Sequence, residues 1–272
     1  MSTFKPERLR VPGAMLTYSV RGAGPMLLLI AGGEGAADGY NNLADALADR
    51  YTVVTYDRRG APGSLLDDAA EDVLLETHSD DAHRLLASLT DEAAYVFGSS
   101  GGALIGLDLA IRFPGQIHTL VAHEPPVEGI LPEFDRYQQE MAEAQKQDDP
   151  SFLVKFFAQL GVRFDDLEPG VVLPQPDPQE TAARTQALMR YTFPAVHRYR
   201  LDIAALAASP VRLILAVGSS GRGTIVYRCT QALANRLGYD LVDFPSDHAG
   251  YISHPRAFAA RLGEVLMDNR DS

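Results

Sequence analysis

The 272-residue sequence is poor in cysteine and contains a single one, Cys229. One cysteine excludes an intrachain disulfide and any zinc site built from cysteine ligands. Because Cys229 lies in a helical pattern, we expect a small residue of the core rather than a reactive thiol.

Positive charge is also scarce, with 24 lysines and arginines against 36 aspartates and glutamates and a formal net charge of −12. Nucleic acids and anionic membranes both require a basic face on their partner. We therefore exclude both as the main partner and expect a small molecule.

Long hydrophobic runs are missing as well. The longest, MLLLIAGG, is far too short to span a bilayer. The first ten residues, MSTFKPERLR, are charged and contain no apolar segment, so we expect no secretion signal and a cytoplasmic location. The sequence leaves open whether the chain is a monomer or a homodimer.

The chain contains a regular alternation of short apolar runs and helical patterns. Two strands flank the Pro12-Gly13 turn and predict an antiparallel hairpin. Apolar runs follow at 26–30, 51–56, 93–97 and 117–123, each followed by a helical pattern or a turn. This alternation predicts an α/β protein with a mostly parallel sheet that is covered on both faces.

The alternation stops after Pro125 and resumes with the run VRLILAV at 211–217. The interruption contains helical patterns and the proline-rich segment LPQPDPQ. We predict a core domain of residues 1–125 and 209–272 and a helical cap of residues 126–208. The cap should lie above the carboxyl edge of the sheet, where open α/β sheets bind ligands.

The string GSSG occurs twice, at 98–101 and at 218–221. The first copy follows a strand and precedes a helix, which is the context that the G-x-S-x-G motif requires. A sharp strand-to-helix turn would project Ser100 as a nucleophile, with Gly98 and Gly102 small enough for the backbone to pass. The N–H of Gly101 would face the reacting oxygen. The alternative is a merely structural glycine turn.

A serine hydroxyl needs a base within hydrogen-bond reach. Of the seven histidines, His248 directly follows the final strand, at the sheet edge where Ser100 is expected, and we predict it as the base. His197, in the interruption, is an alternative that could line a pocket. His78 and His83 lie in an amphipathic pattern and are predicted to be on the surface.

These features resemble the α/β-hydrolase family over nearly the whole chain. The matching residues are the hairpin, AGG after LLLI, YDRRG at 56–60, GSSGG at 98–102 and DHAGYISHP at 247–255. The resemblance implies a mostly parallel eight-stranded sheet with an N-terminal antiparallel hairpin and an inserted helical cap. It also implies the order nucleophile, acid, histidine along the chain.

Most members of that family place the acid after the strand that follows the cap, but here the second GSSG occupies this loop and no carboxylate occurs at 217–227. Glu124 ends the neighbouring strand in LVAHEPP. A serine elbow with a strand-end HE resembles the zearalenone-lactonase branch, which implies the triad Ser100, Glu124 and His248. The alternatives are a capping role for Glu124, Asp247 or Asp243 as the acid, or a dyad without an acid.

The resemblance further implies an oxyanion hole formed by the N–H groups of Gly101 and Gly33, and no metal or organic cofactor. Asp57 in YDRRG is expected to pair with Arg58 or Arg59. The function predicted is a serine hydrolase that cleaves a hydrophobic carboxylic ester or lactone through an acyl-enzyme.

Other functions stay open at this point. A dinucleotide-binding protein conflicts with the glycines at 32, 33, 35 and 39, which do not fit G-x-G-x-x-G, and with the preceding hairpin. A catalytically silent receptor of the same fold, a thioesterase, a C–C hydrolase and a haloperoxidase-like enzyme are all compatible with the motifs.

Overall fold

A single sheet contains all the strands of the computed structural model, which describes residues 6–146 and 152–267. The strands are β1 (Glu7–Val11), β2 (Ala14–Arg21), β3 (Met26–Ile30), β4 (Thr52–Asp57), β5 (Leu65–Leu66), β6 (Ala94–Ser99), β7 (Ile117–His123), β8 (Arg212–Gly218) and β9 (Leu241–Phe244). Eight of them follow the order β1-β2-β4-β3-β6-β7-β8-β9, and β5 pairs with β2 beside this path. The hairpin β1–β2 and the pair β2–β4 are antiparallel, and the pairs from β4 to β9 are parallel. The predicted sheet is confirmed, with the two-residue β5 as an addition.

Helices follow most of the parallel strands, as the alternation predicted. They are α1 (Asn41–Leu47), α2 (Leu75–Leu89), α3 (Gly101–Arg112), α4 (Pro132–Lys146), α5 (Phe152–Leu160), α6 (Pro178–Ala187), α7 (Phe193–Arg198), α8 (Ile203–Ala208), α9 (Ile225–Leu237), α10 (Gly250–Ser253) and α11 (Pro255–Met267). A π-helical turn at Leu188–Thr192 joins α6 to α7. Across the two described ranges, no helix combines the length and the apolar character that a membrane crossing requires.

The core has two layers because the strands are apolar on both faces. Along β3, Leu28 belongs to the core layer that contains residues of α2, α3 and α9, while Leu27 and Leu29 belong to the layer that contains residues of α1 and α11. Successive side chains of a strand point to opposite faces, so a strand buried on both sides is a continuous apolar run. Cys229 is fully buried in α9, as predicted.

The predicted surface position of His78 is wrong. His78 is only 2% exposed in α2, and burial holds the pKa of its imidazole well below the usual value, with the charges of Arg58 and Arg59 adding to the effect. An amphipathic helix buries a stripe wider than its apolar residues alone, and a neutral imidazole fits within that stripe. His83 is half-buried and hydrogen-bonds to Gln116.

The helices α4 to α8 lie between β7 and β8 in the chain and are tied to the sheet domain by polar contacts. Arg184 of α6 binds Asp38 at 2.7 Å. The Tyr199 hydroxyl donates to Asp108 of α3 over 2.9 Å in a buried contact. The boundaries predicted for core and cap, 126 and 208, stay a prediction.

A buried ion pair connects the hairpin, the end of β4 and α2. Arg59 donates to both carboxylate oxygens of Asp81 at 2.6 Å and to the carbonyl oxygen of Pro12 at 2.9 Å. Asp57 makes no ion pair with Arg58 or Arg59, so that expectation is wrong; its carboxylate accepts the N–H of Ala37 at 2.8 Å.

We predict that Arg59→Met destabilises the protein by about 3–5 kcal/mol, because it leaves the carboxylate of Asp81 buried without its partner. Arg10→Met is the matched control, since it breaks a bidentate pair with Asp67 whose side chains are 58% and 46% exposed. That loss should stay below about 1 kcal/mol. Urea unfolding followed by circular dichroism measures both, and equal losses would contradict the prediction.

Candidate active site

The first GSSG forms a strained turn between β6 and α3. Ser100 has φ 56° and ψ −125°, and its N–H donates to the carbonyl oxygen of His123 at 2.8 Å. In the described residues, only Glu124 and Ser246 share a positive φ with Ser100 among non-glycine residues. Such conformations cost free energy and cluster at functional sites, and these three residues lie close to or within the predicted triad.

The glycines on either side of Ser100 are required by close backbone contacts. A Cβ added to Gly98 would lie 2.3 Å from the carbonyl oxygen of Gly102, and one added to Gly102 would lie 2.1 Å from that of Ile30. The spacing of the motif therefore follows from the path of α3 across the end of β3.

Glu124 and His248 meet in a buried hydrogen bond. Glu124 Oε2 lies 2.6 Å from His248 Nδ1, and the two side chains are 0% and 7% exposed. The other carboxylate oxygen, Oε1, accepts the N–H of Gly218 at 3.0 Å. Glu124 follows β7 directly, and its φ of 50° turns the chain out of the strand.

This hydrogen bond decides which nitrogen of His248 carries the proton. Burial alone would raise the pKa of the Glu124 carboxyl, but the hydrogen bond from His248, the two neighbouring imidazoles and the Gly218 N–H together hold that pKa below its usual value. An ionised carboxylate only accepts hydrogen bonds, so Nδ1 donates the proton and Nε2 is left as the basic nitrogen.

The other candidate acids have other partners. Asp247 accepts the N–H groups of Ala249 and Arg163, at 2.8 and 2.9 Å. Asp243 pairs with Arg222 at 3.1 Å on the surface. Among the described contacts, neither aspartate bonds to His248.

The second GSSG begins at Gly218, the last residue of β8, and its Gly221 provides space for the carboxylate of Glu124. A Cβ on Gly218 would lie 2.7 Å from the backbone of Asp247, and one on Gly221 would lie 3.2 Å from Glu124 Oε1. Backbone hydrogen bonds hold the loop against the end of β9, since the N–H groups of Ser219 and Ser220 donate to the carbonyl oxygens of Phe244 and Ser246. Small residues here leave room for a carboxylate that comes from β7.

His123, just before Glu124, is a buried neighbour of the pair. Burial lowers the pKa of its imidazole to about 4, so the ring is neutral near pH 7, and Nδ1 lies 3.2 Å from Ser99 Oγ. Ligand atoms of His123, Glu124 and His248 lie within 4.8 Å of one another and could hold a metal ion. A metal bound through Oε2 or Nδ1 would have to displace the hydrogen bond between Glu124 and His248.

Ser100 and His248 line one cavity of about 510 Å³ beneath the helices that precede β8. Their side chains do not hydrogen-bond to each other in the structure. Catalytic hydrogen bonds are often long without substrate and tighten when it binds. His197 lines neither this cavity nor the chamber beside it and instead lies 2.6 Å from Glu128, so the geometry does not favour His197 as the base.

A smaller chamber of about 40 Å³ adjoins the cavity at Ser100, and both Gly33 and Gly101 line it. The predicted oxyanion donors thus lie beside the predicted nucleophile. The N–H of Gly101 is at the first position of α3, where it has no partner within the helix.

Sequence reasoning missed the residue that holds the glycine loop. Arg58 is 2% exposed and its Nη2 donates to the carbonyl oxygens of Gly33 at 2.7 Å and Gly32 at 3.3 Å, and to the hydroxyl of Thr192 at 3.0 Å. The Gly32 carbonyl and the Gly33 N–H belong to one planar trans peptide, so they point in opposite directions. Because the guanidinium of Arg58 binds that carbonyl, it also fixes the direction in which the Gly33 N–H points. Two arginines at the carboxyl end of a buried strand were the available signal.

Comparison with known proteins gives the family. A family model described as the alpha/beta hydrolase fold matches residues 25–202. This chain belongs to the α/β-hydrolase fold family. The uncharacterized hydrolase YraK of Bacillus subtilis is 41% identical over 276 residues, which cover 97% of each chain.

Solved structures of other proteins share the fold. A hydrolase from Pseudomonas aeruginosa PA01 matches with a TM-score of 0.71 at 23% identity, over 98% of this chain and 100% of the other. The enol-lactonase from Burkholderia xenovorans LB400 matches with a TM-score of 0.69 at 18% identity, over 96% and 100%. The predicted fold and the prediction of a hydrolase are confirmed, whereas the lactonase branch stays a prediction.

We predict that Gly98→Ala destabilises the protein by about 2 kcal/mol or more, because the new methyl group meets backbone that cannot rotate away. Gly115→Ala is the control, since a Cβ there has no atom within 4 Å. Thermal unfolding measures both variants. A Gly98→Ala protein as stable as Gly115→Ala would show that the turn at Ser100 accommodates a Cβ at position 98, which would contradict the prediction.

Proposed function

We propose that the protein is a serine hydrolase that cleaves a carboxylic ester or lactone through an acyl-enzyme. Ser100 is the nucleophile, His248 the base and Glu124 the acid. The observation that carries the proposal is the buried 2.6 Å hydrogen bond between Glu124 and His248, whose ring shares a cavity with the strained Ser100.

The reaction begins when Nε2 of His248 takes the proton of Ser100 as Oγ attacks the substrate carbonyl. The resulting imidazolium forms beside the carboxylate of Glu124, which stabilises the positive charge and keeps Nδ1 protonated. The N–H groups of Gly33 and Gly101 bind the negative oxygen of the tetrahedral intermediate.

The imidazolium of His248 then gives its proton to the leaving oxygen, the carbon–oxygen bond breaks, and the acyl group stays on Ser100. Water enters, His248 accepts one of its protons, and the hydroxide attacks the acyl carbonyl. Collapse of the second intermediate releases the carboxylic acid and returns the proton to Ser100.

Apolar side chains of the cap helices line the cavity and support a hydrophobic substrate. Phe156, Phe157 and Leu160 of α5 lie over it, with Leu188 from the π-helical turn. Small-molecule sites combine aromatic and aliphatic walls with some polar groups, and Glu34, Asp38 and Arg184 are polar members of this wall. An enol-lactonase among the structures with this fold adds lactones to the substrates worth testing.

We predict that Ser100→Ala lowers turnover of activated esters by at least about 10³-fold, because the variant cannot form the acyl-enzyme. Steady-state assays with p-nitrophenyl acetate and butanoate measure the loss. A fluorophosphonate probe followed by peptide mass spectrometry should label Ser100 in the native protein.

The control is Ser99→Ala, whose hydroxyl contacts His123 behind the turn and not the cavity. Ser99→Ala should keep the probe reaction at Ser100. An unlabelled native protein would instead favour the catalytically silent receptor, and full activity in Ser100→Ala would remove Ser100 as the nucleophile.

We predict that Glu124→Gln lowers turnover by roughly 10²- to 10⁴-fold while the protein stays folded, because a neutral amide neither stabilises the imidazolium nor fixes its tautomer. Asp247→Asn removes a carboxylate next to His248 in sequence and should change turnover little. Turnover and melting temperature are measured for both. A neutral Glu124→Gln with an inactive Asp247→Asn would assign the acid to Asp247.

A further inference from the structure

A buried arginine beside the candidate active site has no counter-ion. Arg58 is 2% exposed, and none of the ion pairs within residues 6–146 and 152–267 includes it, whereas its neighbour Arg59 pairs with Asp81. The carboxylate of Glu34 acts on the charge of Arg58 but forms its own ion pair with Arg184, at 3.6 Å. The Nε of Arg58 is buried without a hydrogen-bond partner.

The guanidinium of Arg58 stays positively charged in this position. Its removal from water lowers its pKa, but arginine is not deprotonated in folded proteins. The oxygens that Nη2 contacts are all neutral, since they belong to the backbone of Gly32 and Gly33 and to the hydroxyl of Thr192. A buried ion without a counter-ion costs free energy. A negative charge that forms only during a reaction would provide the missing partner.

The glycine loop contacts both this charge and the proposed nucleophile. A Cβ added to Gly35 would lie 2.9 Å from Nε of Arg58, and the backbone N–H of Arg58 donates to the carbonyl oxygen of Gly35 at 2.9 Å. On the other side, a Cβ added to Gly32 would lie 2.8 Å from the Cβ of Ser100. The loop is therefore packed closely against the guanidinium and against the turn at Ser100.

One peptide of this loop has the guanidinium at its carbonyl end. The carbonyl oxygen of Gly32 lies 3.3 Å from Nη2, and the N–H of Gly33 belongs to the same peptide. Hydrogen bonds in a chain polarise and strengthen one another. An oxyanion bound to the Gly33 N–H would lie within about 9 Å of Nη2, which is the sum of this contact, the peptide width and one further hydrogen bond. Burial keeps the attraction between two such charges much stronger than it would be in water.

We propose that Arg58 is a positioning residue whose positive charge stabilises the tetrahedral intermediate through the Gly32–Gly33 peptide. The inference rests on the serine hydrolase proposed above, with the Gly33 N–H as an oxyanion donor. Arg58 touches no substrate atom in this scheme. It orients the donor and attracts the negative charge that appears when Ser100 adds to a carbonyl group, so its charge should matter more than its number of hydrogen bonds.

The test separates the binding of an oxyanion from binding to the cavity by means of two ligands. With hexyl trifluoromethyl ketone, Oγ of Ser100 bonds to the carbonyl carbon, the hydroxyl proton passes to His248, and the carbonyl oxygen becomes the oxyanion. The corresponding trifluoromethyl alcohol has the same skeleton but cannot form this adduct. Titration calorimetry gives both dissociation constants, and the ratio of alcohol to ketone is the oxyanion preference.

Arg58→Gln and Arg58→Met should each reduce the oxyanion preference by about 10- to 100-fold, which is less than the loss of a whole oxyanion donor causes. The value of kcat/KM for p-nitrophenyl butanoate should fall by a similar factor, and the dissociation constant of the alcohol should not change. Arg58→Lys keeps the charge but not the planar fork, so it should retain more of the preference than Arg58→Gln, which keeps N–H donors without the charge.

Arg21→Met is the matched control. Arg21 is also buried, at 8% exposure, and its Nη1 donates to the backbone carbonyl oxygen of Asn41 at 3.1 Å. It pairs with Val53 near the start of β4, whereas Arg58 follows the end of that strand, so the two arginines lie at opposite edges of the sheet. Arg21→Met should lower the melting temperature and leave the oxyanion preference unchanged.

Circular dichroism selects the folded variants for this comparison. A native-like preference in Arg58→Gln and Arg58→Met, or an Arg58→Lys that is no better than Arg58→Gln, would overturn the inference while leaving the proposed hydrolase intact. If neither neutral variant folds, Arg58→Lys decides alone: it should keep most of the preference, and a complete loss would overturn the inference.

A different result would remove the proposed function itself. If the native protein binds the ketone no more tightly than the alcohol and does not react with a fluorophosphonate at Ser100, the serine hydrolase fails and the role of Arg58 fails with it.

Discussion

The hydrogen bond between Glu124 and His248 is the contact on which the proposed chemistry depends. It requires an ionised carboxylate in a fully buried position, and the N–H of Gly218 helps to keep it ionised. It also requires a turn with positive φ directly after β7. Without this bond the proton on the imidazole would have no fixed nitrogen, and Ser100 would have no defined base.

The remaining parts of the site are placed by the sheet. The ends of β3, β6 and β7 bring the glycine loop, the turn at Ser100 and Glu124 to one edge, and the loop after β9 adds His248. Arg58 then joins the glycine loop to Thr192 before α7. A shift of the helices between β7 and β8 would therefore also move the glycine loop, because the guanidinium of Arg58 contacts both that loop and Thr192.

The sequence alone was sufficient to predict the position of an element or residue wherever a local pattern has one structural solution. The apolar run of β3, the elbow around Ser100 and the histidine after β9 belong to this class. Glu124 was also predicted, but through the resemblance of the strand-end HE to the zearalenone-lactonase branch and not through a local pattern alone. Arg58, the buried His78 and the short β5 were missed, since each depends on contacts between segments distant in sequence. The small chamber is likewise formed by helices whose packing no periodicity specifies.

The loop after β8 shows how a missing residue can mislead. Gly221 leaves space beside the carboxylate of Glu124, and the N–H of Gly218 donates to that carboxylate, so this loop and the end of β7 are complementary parts of one structure. A survey that inspects only the loop after β8 would classify such a chain as a pseudoenzyme. Homologous chains with a small-residue loop at this place should first be examined for a glutamate at the end of the adjacent strand.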